Sequence, residues 1–169
     1  MKIQPLNIDS KKKYILVYTI CFIVMAFAAS LPWIVTGTSF VWKIDGQGQH
    51  YPALVYLGQT LREFFVGVFS GHPKWNMWDL NIGFGSDVVG TLNYYCIGDP
   101  YRYSVFVPKA YTEYLYEFLI IFRMYLAGLA FSAFAFYKKA KYYPTLIGAF
   151  VYTFSGYVLM YGIKHPFFT

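Results

Sequence analysis

Three apolar runs and one long mixed segment divide the chain. Residues 14–36 carry no charge, residues 142–163 carry none, and residues 114–137 are interrupted only by Glu117 and Arg123. At about 1.5 Å of rise per residue, each run can cross a hydrocarbon core of roughly 30 Å. The pattern predicts an all-α integral membrane fold with three transmembrane helices. Pro32, Gly128, Pro144, Gly148 and Gly156 fall inside the runs, and membrane helices accept such residues more readily than soluble ones. Gly128 and Ser132 are small residues four apart, as are Ala149 and Thr153. They are spaced to let helices approach closely, or simply fill space.

Residues 37–113 form a segment too long to be a simple connection. Within it Leu54, Leu57, Leu61, Phe64, Phe65 and Val68 recur at intervals that mark one face of a helix over about 52–69. Pro52 suits the first turn of that helix. The aromatic stripe predicts an amphipathic helix lying in the membrane interface, or one packed against the rest of a larger external domain. Farther on, Gly83 and Gly85 with Ser86 and Asp87 predict tight turns. The stretch "GFGSD" has neither the spacing nor the strand–helix setting of a dinucleotide site.

Composition and charge sharpen this picture. The chain is 57% hydrophobic and only 13% charged, about half the roughly 25% charge of a soluble domain. The net charge of +6 is concentrated in short clusters. Lys11, Lys12 and Lys13 precede the first run, and Lys138, Lys139 and Lys141 separate the second from the third. The positive-inside rule places residues 1–13 and 138–141 in the cytoplasm. Residues 37–113 and 164–169 are then external. The same distribution argues against a nucleic-acid partner. The lysines, the apolar residues after them and Ala26 and Ala28 also fit a signal peptide. Continuation of the apolar run to Val35 favours an uncleaved anchor, and the long segment is external either way. Cys21 and Cys96 are the two cysteines. They make neither a disulfide framework nor a CxxC zinc site.

Candidate chemistry gathers in "WKIDGQGQHYPAL", between the first run and the amphipathic helix. Spacing alone reads Asp45 as a turn-capping residue. A carboxylate held there can also serve as general base towards an acceptor hydroxyl. Gly46 and Gly48 permit turns and close ligand approach. Gln47, Gln49 and His50 can bind polar ligand groups or orient the base. Lys43, Arg62, Lys74, Arg102 and Lys109 offer positive charge to a lipid-linked phosphate. Arg123 lies within the second run, where an ionisable residue faces protein or water and is often functional. Glu117 is a partner for it, though six residues apart is not an ideal helical pairing. The aromatic and amide-rich residues 71–108 can stack on sugar rings or rest passively at the interface. Together with the aspartates, His50, His72 and His165 offer ligands to a divalent metal, though without the spacing of a metal-binding motif.

Several stretches, in order, resemble the N-terminal portion of bacterial YfhO-type membrane proteins. They are "SFVWKIDGQGQHYPAL", "WDLNIGFGSDVVGTLNYYCIGDP", "SVFVPKAYTEYLYEFLIIFRMYLAGLAF" and "GYVLMYGIKHPFF". The resemblance implies a fragment of a longer GT-C-like polytopic fold in the bacterial cell membrane. It also implies a glycosyltransferase that uses a polyprenyl-phosphate sugar donor at the outer face. The acceptor it implies is a cell-envelope polymer such as lipoteichoic acid. By position it makes Asp45 the catalytic base. It makes Asp79, Asp87 and Asp99 binding residues for donor, acceptor or a divalent metal. The alternatives are a lipid-linked substrate transporter and a non-catalytic membrane scaffold.

Overall fold

A computed structural model describes residues 7–95 and 103–162. It is mostly helical. Helix α1 spans Lys11–Thr36, α2 Tyr51–Phe69, α3 Val88–Tyr95, α4 Thr112–Tyr137, α5 Tyr142–Thr153 and α6 Gly156–Tyr161. A π turn over Gly46–His50 leads into α2, and 3-10 turns cover Tyr103–Phe106 and Lys109–Tyr111. Two short antiparallel strands, β1 (Trp78–Asp79) and β2 (Ser86–Asp87), pair Trp78 with Asp87 and Asp79 with Ser86. The chain divides into two compact units. One, the helical unit, holds the described residues up to Thr38 together with Ile121–Met160; the other, the cleft unit, holds Ser39–Ile120 as far as described, with Tyr161 and Gly162.

In the helical unit, α1 starts three residues before the apolar run because Ser10 caps it. The Ser10 hydroxyl accepts the Lys13 N–H at 3.4 Å. Gly37 ends the helix in the left-handed conformation, φ 62°, where glycine carries no steric penalty. Tyr14, Tyr18 and Phe22 are buried along one face of α1. Successive helical turns put them one above another. Tyr18 stacks on Phe150 with ring centroids 5.4 Å apart, and Tyr14 meets Phe136 edge-on at 4.8 Å. Tyr14 reaches the Ser132 hydroxyl at 2.7 Å, and Ser132 donates to the Gly128 carbonyl at 2.7 Å. Tyr18 donates to the Tyr125 carbonyl at 3.0 Å. The small pairs serve close approach: a Cβ on Gly128 would collide with the Tyr18 hydroxyl and lie 2.6 Å from Thr153 Oγ1. Meanwhile Ile15, Leu16, Ile20, Ile23, Val24 and Phe27 stay exposed on α1.

Two helical segments, Lys11–Thr36 and Lys109–Tyr137, are long and apolar enough to cross a membrane. The third apolar run differs from the single helix expected over 142–163. It breaks after Thr153, and Ser155 restarts it by accepting the Val158 N–H at 3.4 Å. Serine and glycine at 155 and 156 are poor helix-interior residues, and serine is a good cap. The α5 segment alone, at 12 residues, is about 18 Å long.

In the cleft unit, α2 covers the predicted amphipathic stretch. Leu54 and Leu57 are buried and Leu61 and Phe64 half-buried, whereas Phe65 and Val68 are exposed. The first half of the stripe packs on the Tyr103–Phe106 turn and the π turn. Gly58 permits that packing, since a Cβ there would stand 2.9 Å from the Ser104 carbonyl.

Candidate functional site

The polar stretch after α1 folds into a π turn. Gln47 N–H donates to Trp42 O at 2.9 Å, and Tyr51 N–H donates to Gly46 O. Both bonds span five residues. Pro52 supplies a local reason: it has no N–H to give the carbonyl four residues back, so the regular α pattern cannot run through this point. Gly46 lies against the Trp42 indole, with no room for a side chain. Gly48 has open space around it.

Asp45 stands at the head of this turn, half-buried, and makes no side-chain capping bond. Its Oδ1 accepts from Gln49 Nε2 at 3.2 Å. Gln49 and Gly48 in turn line a cleft of about 600 Å3 within the unit. The α2 residues Tyr51, Tyr56 and Gln59 form one wall; Asn81, Thr91 and Lys109 complete its polar lining. Aromatic faces, amides, a hydroxyl and one ammonium therefore converge on a mainly apolar hollow. That is the usual make-up of a small-molecule pocket.

The predicted site residues take different places. Asp79 is tied to the cleft wall: Tyr56 donates to its Oδ2, and the Asn81 backbone and side-chain amides donate to Oδ1 at 2.8 and 2.9 Å. The Tyr56 hydroxyl first, then the Asn81 amide, hold the Asp79 carboxyl below its ordinary range. Burial, followed by the hydrogen bond to Asp79, pushes the Tyr56 phenol up to about 12. Asp87 caps α3, accepting Val89 N–H at 3.3 Å and Gly90 N–H at 2.6 Å. Such a cap contributes about 1 kcal/mol. Gln47 is exposed and His50 is only 3% exposed. Arg123 is half-buried on α4, and the Glu117 carboxylate accepts the Phe40 N–H at 3.2 Å. Asp99, Arg102, Cys96 and His165 lie outside the described residues.

Among the cations, Lys109 reaches the cleft, and Lys43 and Lys74 are exposed. Arg62 is engaged internally, where its Nη1 donates to the carbonyls of Ser104 at 2.8 Å and Val107 at 2.7 Å. The described residues bring together no group of three His, Cys, Asp or Glu side chains able to hold a metal. Sequence reasoning missed Tyr56, Gln59, Asn81 and Thr91 as cleft residues. Tyr56 and Gln59 are three apart on the helix, and that spacing is a legible signal; Asn81 and Thr91 arrive by long-range packing.

Two helical segments long and apolar enough to cross a membrane, with much of their apolar surface exposed, fit a helical membrane protein. Residues 16–166 match the family described as bacterial membrane protein YfhO, and the chain belongs to that family. No curated protein and no solved structure matches it.

Proposed function

We propose that the chain is the N-terminal part of a GT-C-type membrane glycosyltransferase. It would move a sugar from a polyprenyl-phosphate donor to a hydroxyl of a cell-envelope acceptor such as lipoteichoic acid. Residues 37–113 would stand outside the membrane, where such a donor and acceptor meet. The observation that carries this reading is the Asp45–Gln49 hydrogen bond, which ties a carboxylate to the rim of a sugar-sized cleft.

In this reading Asp45 takes the proton of the acceptor hydroxyl as its oxygen attacks the anomeric carbon. The bond from that carbon to the phosphate oxygen breaks, and the departing polyprenyl phosphate keeps the electron pair. Lys109 meets the charge that develops on it. Tyr51 and Tyr56 offer ring faces to the sugar, while Gln59, Asn81 and Thr91 offer hydrogen bonds to its hydroxyls. Asp79 acts by fixing Tyr56 and Asn81. One displacement inverts the anomeric centre.

The test is Asp45→Asn in the full-length protein, reading sugar transfer, donor binding and expression together. Loss of a general base lowers transfer about 10²- to 10⁴-fold, with donor binding and expression unchanged. Transfer at the parent rate would remove Asp45 from the mechanism.

A further inference from the structure

The helical unit has a hollow of its own, of about 500 Å3, between the start of α1 and the α4–α5 connection. Lys11 lines it from α1, and Lys139 and Lys141 line it from the connection. Phe136, Tyr142 and Tyr143 form its aromatic part. Among the described residues, no Asp or Glu lines it. Asp9, close by in sequence, is engaged with Lys13 at 3.7 Å. All three lysines are solvent-exposed, and like charges lining one hollow favour an anion there.

The backbone at Lys139 points the same way. Ala140 N–H bonds Ala135 O and Lys139 N–H bonds Phe136 O, both at 3.0 Å. This is the helix ending whose left-handed position is ordinarily glycine. Lys139 occupies it at φ 60°, a conformation that is unfavourable for a residue with a Cβ. The chain holds a positive charge at a position where glycine would be more stable. Of the three helices with an end at the hollow, α1 and α4 belong to segments long enough to cross a membrane. From its rim, Ile15, Leu16, Ile20 and Ile23 run exposed along α1.

We propose that this hollow binds the phosphate of an anionic phospholipid headgroup, with the acyl chains along the exposed apolar side of α1. The aromatic residues suit the same depth, where amphipathic rings sit at the headgroup level. The site is independent of the sugar-transfer reading.

The experiment is thermal unfolding of the full-length protein in neutral detergent, with phosphatidylglycerol, phosphatidylcholine or inorganic phosphate added. Ligand that binds only the folded state raises the melting temperature. Phosphatidylglycerol should raise it in a saturable way, and phosphatidylcholine and inorganic phosphate should not. The combined substitutions Lys11→Gln, Lys139→Gln and Lys141→Gln should weaken the phosphatidylglycerol response at least about tenfold in midpoint concentration, the loss expected when charge-assisted contacts are removed. Removing the same number of charges at Lys12, Lys13 and Lys138 should leave it near the parent value. Lys139→Gly alone should melt higher without lipid and gain less from phosphatidylglycerol. Equal loss in the two triple variants, an undiminished gain in Lys139→Gly, or an equal effect of inorganic phosphate would overturn the proposal.

Discussion

The helical unit and the cleft unit handle polar groups in opposite ways. Where the helices of the helical unit pack, hydroxyls let backbones come close: Tyr14 to Ser132, Ser132 to Gly128, Tyr18 to Tyr125. In the cleft unit charged side chains hold irregular backbone in shape. Arg62 binds two carbonyls, and Asp79 and Asp87 each bind backbone amides. A regular helix satisfies its own backbone and needs only packing. A segment of turns leaves carbonyls and amides over, and side chains must meet them. Charge in residues 37–113 is therefore partly architectural, and a charged residue there is not by itself evidence of a ligand.

The largest expected break in this contrast comes from Arg62→Met. It removes two charge-assisted bonds and should lower stability by about 3 kcal/mol. Hydrogen exchange should rise across α2 and residues 103–107, with α1 and α5 near parent rates. Gly128→Val should do the reverse. Overpacking against Tyr18 and Thr153 should cost about 2 kcal/mol. Exchange should rise in α1 and α5 while α2 is spared. Uniform loss of protection in either variant would mean that the two units respond as one.

The smallest effect concerns pH. Asp79 has its carboxyl held below the ordinary range. Its contribution is therefore present above the unfolded value of about 3.9 and is lost as pH falls through the lower folded value. Tyr56, raised to about 12, contributes fully below the unfolded value of about 10 and loses that contribution as pH rises through the folded value. Denaturant melts of Asp79→Asn should show a flatter acid limb than the parent, and Tyr56→Phe should flatten both limbs. An unchanged acid limb in Asp79→Asn would show that the Tyr56–Asp79 pair does not shape stability.

Much of the helical framework was readable because its physics is local. Apolar runs and a three-and-four spacing marked α1, α4 and α2 within a few residues of their ends. The break at Phe154–Ser155 was not read from the sequence, because hydropathy treats Ser155 and Gly156 as near neutral and the run looked continuous. The cleft was less legible. Gln49 and Lys109 were named from the sequence, yet the walls formed by Asn81 and Thr91 depend on how α2, α3 and the turns pack. Arg62 shows the limit most clearly. Its chemistry suits phosphate, and nothing in the local sequence reveals that two backbone carbonyls already occupy it. Asp87 is the converse case, since an aspartate just before a helix is a recognisable cap.

The π turn ahead of α2 makes the residue count before Pro52 a form of angular information. Each residue advances a helix by about 100°, and a π turn accommodates one more residue per turn than an α-helix would. Deleting Gly46, Gln47 or Gly48 would leave Asp45 three residues from Gln49 instead of four and close the wide turn between them. The carboxylate would keep its chemistry and lose its bearing on Gln49. An alignment that merely confirms an aspartate near this point would miss such a change; the spacing from Asp45 to Pro52 is the quantity to compare among family members.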